Sequence, residues 1–176
     1  MKKYFLTFMS FLLIVLVCLI GNSYTFAALK DSEILAILIV ASENEILAAN
    51  EALKNTNSPT IKHYANTLKD QLIINLEEIL AVKSSTGIKP EGSNKVIRLQ
   101  RAGKNLIEEL SQLTDKQFDV AYINAMAHNH IQLARMIDVQ LLASAKNSSV
   151  KNLLLATRPH VKDYLKQTEA IQNSLK

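Results

Sequence analysis

The residues of this chain that could do acid–base or metal chemistry reduce quickly to a pair. His130 has Ile123, Met126, Ala127, Leu133, Ala134 and Ile137 at −7, −4, −3, +3, +4 and +7. These positions share one face of a helix, so an imidazole sits in the middle of an apolar stripe. Glu45 is the matching case, with Leu38, Ala41, Ala48, Ala49 and Ala52 as its helical neighbours. A buried carboxylate without a donor is strongly unfavourable. The expected arrangement is a buried Glu45–His130 hydrogen-bonded or ionic pair that fixes helix register. The alternatives for Glu45 are solvent at a helix end or the hydroxyl of Tyr164.

Metal chemistry asks for more than this pair. A di-iron centre in a helical bundle takes carboxylates from all four helices and Glu-x-x-His pairs on two of them. The chain contains no Glu-x-x-His and no Asp-x-x-His. His128 and His130 are two residues apart, which turns their rings roughly 200° from each other on a helix. Glu45 and His130 would hold a transition metal only with Tyr164 or His160 as further ligands. No cofactor is therefore expected, and a metal at Glu45, His130 and Tyr164 is the alternative. Met126 and Met136 are expected in the core, since the other two methionines, Met1 and Met9, lie near the N-terminus. His63, His128, Asn129 and the basic face of Arg98, Arg101 and Lys104 are expected at the surface. No glycine-rich phosphate loop and no defensible Ser/His/Asp order occurs, so no enzyme is expected.

The elements that position these groups follow from composition and punctuation. Four glycines, three prolines, no tryptophan and 6% aromatics favour helices packed through aliphatic side chains. Lys2 and Lys3 precede an apolar run over 5–20, and Thr25-Phe26-Ala27 offers a cleavage site for an export signal. Residues 1–27 are thus expected to be a signal peptide and 28–176 one helical domain. The only cysteine, Cys18, falls in the leader, so no thiol or disulfide chemistry is expected after processing. Without Lys2 and Lys3, 18 basic residues face 16 acidic ones, too even a balance for nucleic-acid binding. Membrane attachment is expected only through an uncleaved leader.

A first long helix is expected from an N-cap at Asp31 or Ser32 to about Lys54. A second opens at Ser58-Pro59 and stops between Lys83 and Gly87. Its stripe is Ala65, Leu68, Leu72, Leu76 and Ile79. Residues 88–94 read as a loop. Val96 to Leu113 reads as a weaker helical stretch interrupted by Gly103, one or two short helices covering an end of the bundle. Thr114 to Gln117 has a capping-box pattern and leads into the third long helix, which carries His130 to about Leu142. The fourth is expected over 150–172, kinked at Pro159. The expected fold is all-α: an antiparallel four-helix bundle with a short helical insertion between the second and third long helices.

The order DSEILAILIVASENEILAANEAL, IKHYANTLKDQ, KQFDVAYINAMAHNHIQL, LLLATRPHVKDYL resembles an exported bacterial family, domain of unknown function 4142. Its members are often labelled outer-membrane proteins and have a ferritin-like four-helix fold. The resemblance implies an interior polar cluster: a glutamate in the first helix, Asp-His in the second, and one histidine each in the third and fourth. Glu45 and His130 fall on two of these positions. Gln71-Leu72 stands in place of Asp-His, and Tyr164 in place of the last histidine. The resemblance thus implies an exported, non-enzymatic envelope component, periplasmic or associated with the outer membrane. Its partner would be an envelope protein, a small ligand or a second copy of itself. A metal- or cofactor-binding bundle with a reduced site is the alternative.

Overall fold

The computed structural model describes residues 28–175. The expected leader at 1–27 lies outside the described residues. Five helices follow in order: α1 (Asp31–Asn55), α2 (Pro59–Thr86), α3 (Asn94–Leu110), α4 (Asp115–Met136) and α5 (Ser148–Leu175). α4 continues through a π-helical segment, Ile137–Leu141, and a last turn, Leu142–Ser144. No strand occurs among the described residues, and none of their helices is long and apolar enough to cross a membrane.

The punctuation acts as its chemistry demands. Ser58 caps α2 by accepting from the Ile61 amide, and Pro59 occupies the first turn, where its missing N–H costs nothing. Gly87 ends α2 at φ 70°, a left-handed conformation that glycine adopts freely. The three-residue link after α1 folds α1 and α2 into a hairpin. α4 and α5 pack along each other and are tied by Asn124–Gln172 and Asp138–Arg158. α1 also packs on α3 and α4, and α2 on α5.

Three local expectations are corrected. The N-cap of α1 is Lys30, whose amide donates to Glu33. The Asp31 carboxylate instead accepts the Lys146 and Asn147 amides ahead of α5, so a tertiary contact takes the acid that capping would have used. The Thr114 box does not form: Thr114 makes no side-chain cap, and the chain enters α4 through Asp115 at φ 51°. Finally, Asn94–Leu110 is one 17-residue helix lying along α1 rather than short pieces over an end. Gly103 does not break it. A Cβ there would come within 2.2 Å of the Asn44 side chain, so the glycine is what allows α3 to approach α1. Asn44 then donates to the Leu99 carbonyl at 2.9 Å. Pro159 lies well inside α5, as expected.

The core is divided. One apolar cluster gathers Ala48, Ala52, Ile61, Leu68, Phe118 and Met126. The other gathers Ile34, Leu38, Ile79, Ile137, Val150 and Leu154. Along α1 the clusters hand over around Glu45, and along α4 around His130. The polar pair therefore occupies the layer between two hydrophobic halves.

Candidate functional site

Glu45 and His130 reach this layer because their helices bury the stripes around them. Both are removed from solvent, Glu45 at 4% exposure and His130 at 0%. Glu45 Oε1 lies 3.3 Å from His130 Nδ1. The approach is close enough for an ion pair, but Nδ1 makes no aligned hydrogen bond. On the opposite edge of the ring, Nε2 lies 2.9 Å from the Tyr64 hydroxyl. Burial above all, with the Tyr122 phenol and the Glu45 carboxylate adding to it, pushes the Tyr64 phenol well above the usual tyrosine range. The imidazole is thus bracketed by a phenol at Nε2 and a carboxylate at Nδ1.

Tyr164 packs on the imidazole, and further rings extend from Tyr64. Tyr164, 8% exposed, sits 5.6 Å from His130 between ring centres, tilted by 46°. Tyr122 meets Tyr64 edge-on at 6.2 Å, and Phe118 stacks on Tyr122 at 6.1 Å. The Tyr122 hydroxyl is buried with no hydrogen-bond partner among the described residues. Burial, reinforced by Glu45, pushes its phenol upward too.

Glu45 is also a wall of two cavities. One, about 110 Å³, lies between α1, α2 and α5, with Ser42, Asn75, Glu78, Thr157 and Tyr164 around it. The other, about 270 Å³, lies between α1, α3 and α4, with Asn44, Asn129, Gln132 and Met136 among its lining residues. The charged side chain common to both is Glu45.

Of the sequence-predicted groups, Glu45 and His130 are brought together. Tyr164 contacts the ring but makes no hydrogen bond to Glu45 among the described residues. His160 is exposed at the smaller cavity, and His63 and His128 are exposed. Asn129, expected in solvent, is half-buried. Gln71 is exposed at the mouth of the smaller cavity and Leu72 is core, so α2 brings no imidazole or carboxylate to the position where Asp-His was implied. Its contribution is Tyr64, which sequence reasoning missed. The signal was there: Tyr64 falls on the stripe of Ile61, Ala65, Leu68 and Leu72, and a hydroxyl on such a face needs a partner as much as an imidazole does.

Among the described residues no group of three or more His, Cys, Asp or Glu converges on one point, and both His130 nitrogens face protein groups. What the arrangement does supply is a fixed imidazole that holds a carboxylate in place, with the carboxylate left open to two cavities.

Among comparisons with known proteins, no curated protein and no solved structure matches the chain. The sequence model of one family, described as a domain of unknown function (DUF4142), matches residues 22–171. With the match spanning most of its length, the chain belongs to the DUF4142 family.

Proposed function

We propose that this protein is an exported, non-enzymatic component of the bacterial envelope that acts by binding. In this reading α1, α2, α4 and α5 form an antiparallel, ferritin-like four-helix bundle, with α3 laid against α1. Cross-helix pairs support that arrangement. Along α1 and α4, the Thr56–Asp119 and Glu45–His130 contacts advance in opposite chain directions. The same holds for Asn124–Gln172 and Asp138–Arg158 along α4 and α5.

The observation that carries the binding reading is Glu45. A carboxylate at 4% exposure that faces its imidazole without an aligned hydrogen bond, and lines two cavities, is an incompletely satisfied acceptor. Such a group favours a ligand that brings a donor. His130 is a poor general base here, because Nε2 is held by Tyr64 and Nδ1 faces a carboxylate. The partner is a small ligand or another envelope protein, and the even charge balance disfavours nucleic acid.

Elemental analysis of protein purified without chelators tests this against a metal-binding role. The expected result is metal far below one ion per chain. Stoichiometric iron, manganese or zinc would overturn the reading, and so would finding the protein wholly in the cytoplasm.

A further inference from the structure

We propose that the cavity between α1, α2 and α5 takes a small aliphatic diamine, its inner ammonium on Glu45 and its outer ammonium beside Glu78. The inference rests on the reading that the protein binds a ligand in its interior, and it names the class of that ligand.

The charges around this cavity are one-sided. Glu45 lies at its buried end and Glu78 is exposed. Neither lysine nor arginine lines it, and its imidazole, His160, is exposed. Tyr164 reports the same field. Its phenol is pushed up to about 12, by burial first and then by the carboxylates of Glu45, Asp163 and Glu78. A site with this potential favours a cation, and the Tyr164 ring offers an aromatic face beside it.

Glu45 is the feature that turns an acidic wall into a site. It is almost wholly buried, and among the described residues its polar partner is His130 Nδ1 at 3.3 Å. His130 covers one side of it and the cavity opens on another. An ammonium there supplies a further donor on the side of the carboxylate that His130 leaves open.

Spacing selects a diamine over a monoamine. Asn75 on α2 donates to Ser42 on α1 at 3.0 Å, which sets the two residues side by side in the hairpin. Glu45 is three residues beyond Ser42, and Glu78 three beyond Asn75 on a helix running the other way. At helical rise the two residues are separated by roughly 9 Å along the axis, within reach of an extended diamine. Between them, Leu38, Leu72 and Val161 give an apolar wall suited to methylenes. Ser42, Asn75 and Thr157 are already occupied with one another and with the Leu153 carbonyl. The cavity is about 110 Å³. A cavity of about 150 Å³ holds a benzene ring, so a four-carbon chain is the right scale.

The test is calorimetric titration of the purified protein with putrescine, n-butylamine, butan-1-ol and butyrate. Butylamine is expected to bind at least about tenfold more tightly than butanol, the worth of one charge-assisted hydrogen bond. Putrescine should gain about a further threefold, the scale of an exposed ion pair. Butyrate should not bind. Glu78→Gln should reduce putrescine to the level of butylamine and leave butylamine unchanged, while Glu45→Gln should abolish both. Equal binding of butanol and butylamine would overturn the cation but leave interior binding standing. Absence of binding by all four would overturn the site itself. If Glu45→Gln fails to fold, the Glu78→Gln comparison still decides, since that residue is exposed and outside the core.

Discussion

Substituting His130 is the perturbation whose cost can be worked most fully. His130→Gln removes the bond from Tyr64, worth about 1 kcal/mol. It also leaves the Glu45 carboxylate buried without its imidazole, a loss of about 3 kcal/mol for a broken buried pair. The expected destabilisation is therefore about 4 kcal/mol. Glu45→Gln keeps the shape and removes the charge, so it should cost only about 1–2 kcal/mol. With both substitutions no charge is left buried, and the total should be about 3 kcal/mol rather than the sum. The expected coupling is about 2–3 kcal/mol, within the range for residues in direct contact. Urea unfolding followed by far-ultraviolet circular dichroism measures all four stabilities, provided the m-value stays constant. Additivity within about 0.5 kcal/mol would refute the claim that the two side chains stabilise each other.

Three further outcomes follow from other parts of the fold. Every tyrosine among the described residues is buried, and Tyr64, Tyr122 and Tyr164 all have phenols pushed upward. The unfolded chain loses these protons near pH 10, while the folded chain retains them. Stability should hold below pH 10 and then fall by about 1.4 kcal/mol per pH unit for each such tyrosine. In the protein processed after Ala27, phenolate absorbance at 295 nm should rise together with unfolding, and a separate phenolate transition in the folded state would contradict this. Gly103→Ala should push the Asn44 amide off the Leu99 carbonyl; that cost, offset by the about 1 kcal/mol alanine gains in a helix, should leave a net loss of about 1 kcal/mol, with recovery when Asn44→Ala is added. Thermal melts of the two chains check it, and an unchanged midpoint for Gly103→Ala would count against close α1–α3 packing. The Asp138 carboxyl is held below the usual range, chiefly by its hydrogen bond from Arg158. That contribution is present above the unfolded value and lost as pH falls through the folded one. Asp138→Asn should therefore flatten the acid limb of the stability profile slightly, an effect erased by high salt.

Local chemistry was legible wherever a short stretch decides its own fate. Ser58-Pro59 starts α2 and Gly87 ends it for reasons confined to a few residues. The stripe around His130 marks it as buried because helical periodicity reports which face turns inward. The illegible features depend on what a face meets. Gly103 carries the same signal whether a helix breaks there or another helix crosses close by, and only the presence of Asn44 separates the two. Asp31 has the right chemistry for a cap but is used by amides more than a hundred residues away. From the sequence, Tyr64 reads as one more residue of the apolar stripe of α2, because only its hydroxyl sets it apart. The hydroxyl that engages His130 comes from two turns before Gln71-Leu72 in α2. The layering of the core was hidden for the same reason: it exists only once Glu45 and His130 share a level between the two apolar clusters.

Native mass spectrometry of the protein isolated from an envelope fraction reads the central claim most directly. The expected species is a chain beginning at Ala28, free of metal, that carries a small-molecule adduct when the native protein is sprayed and loses it on Glu45→Gln. An unprocessed chain from the cytoplasm, or a mass increment of one metal ion per chain, would contradict it.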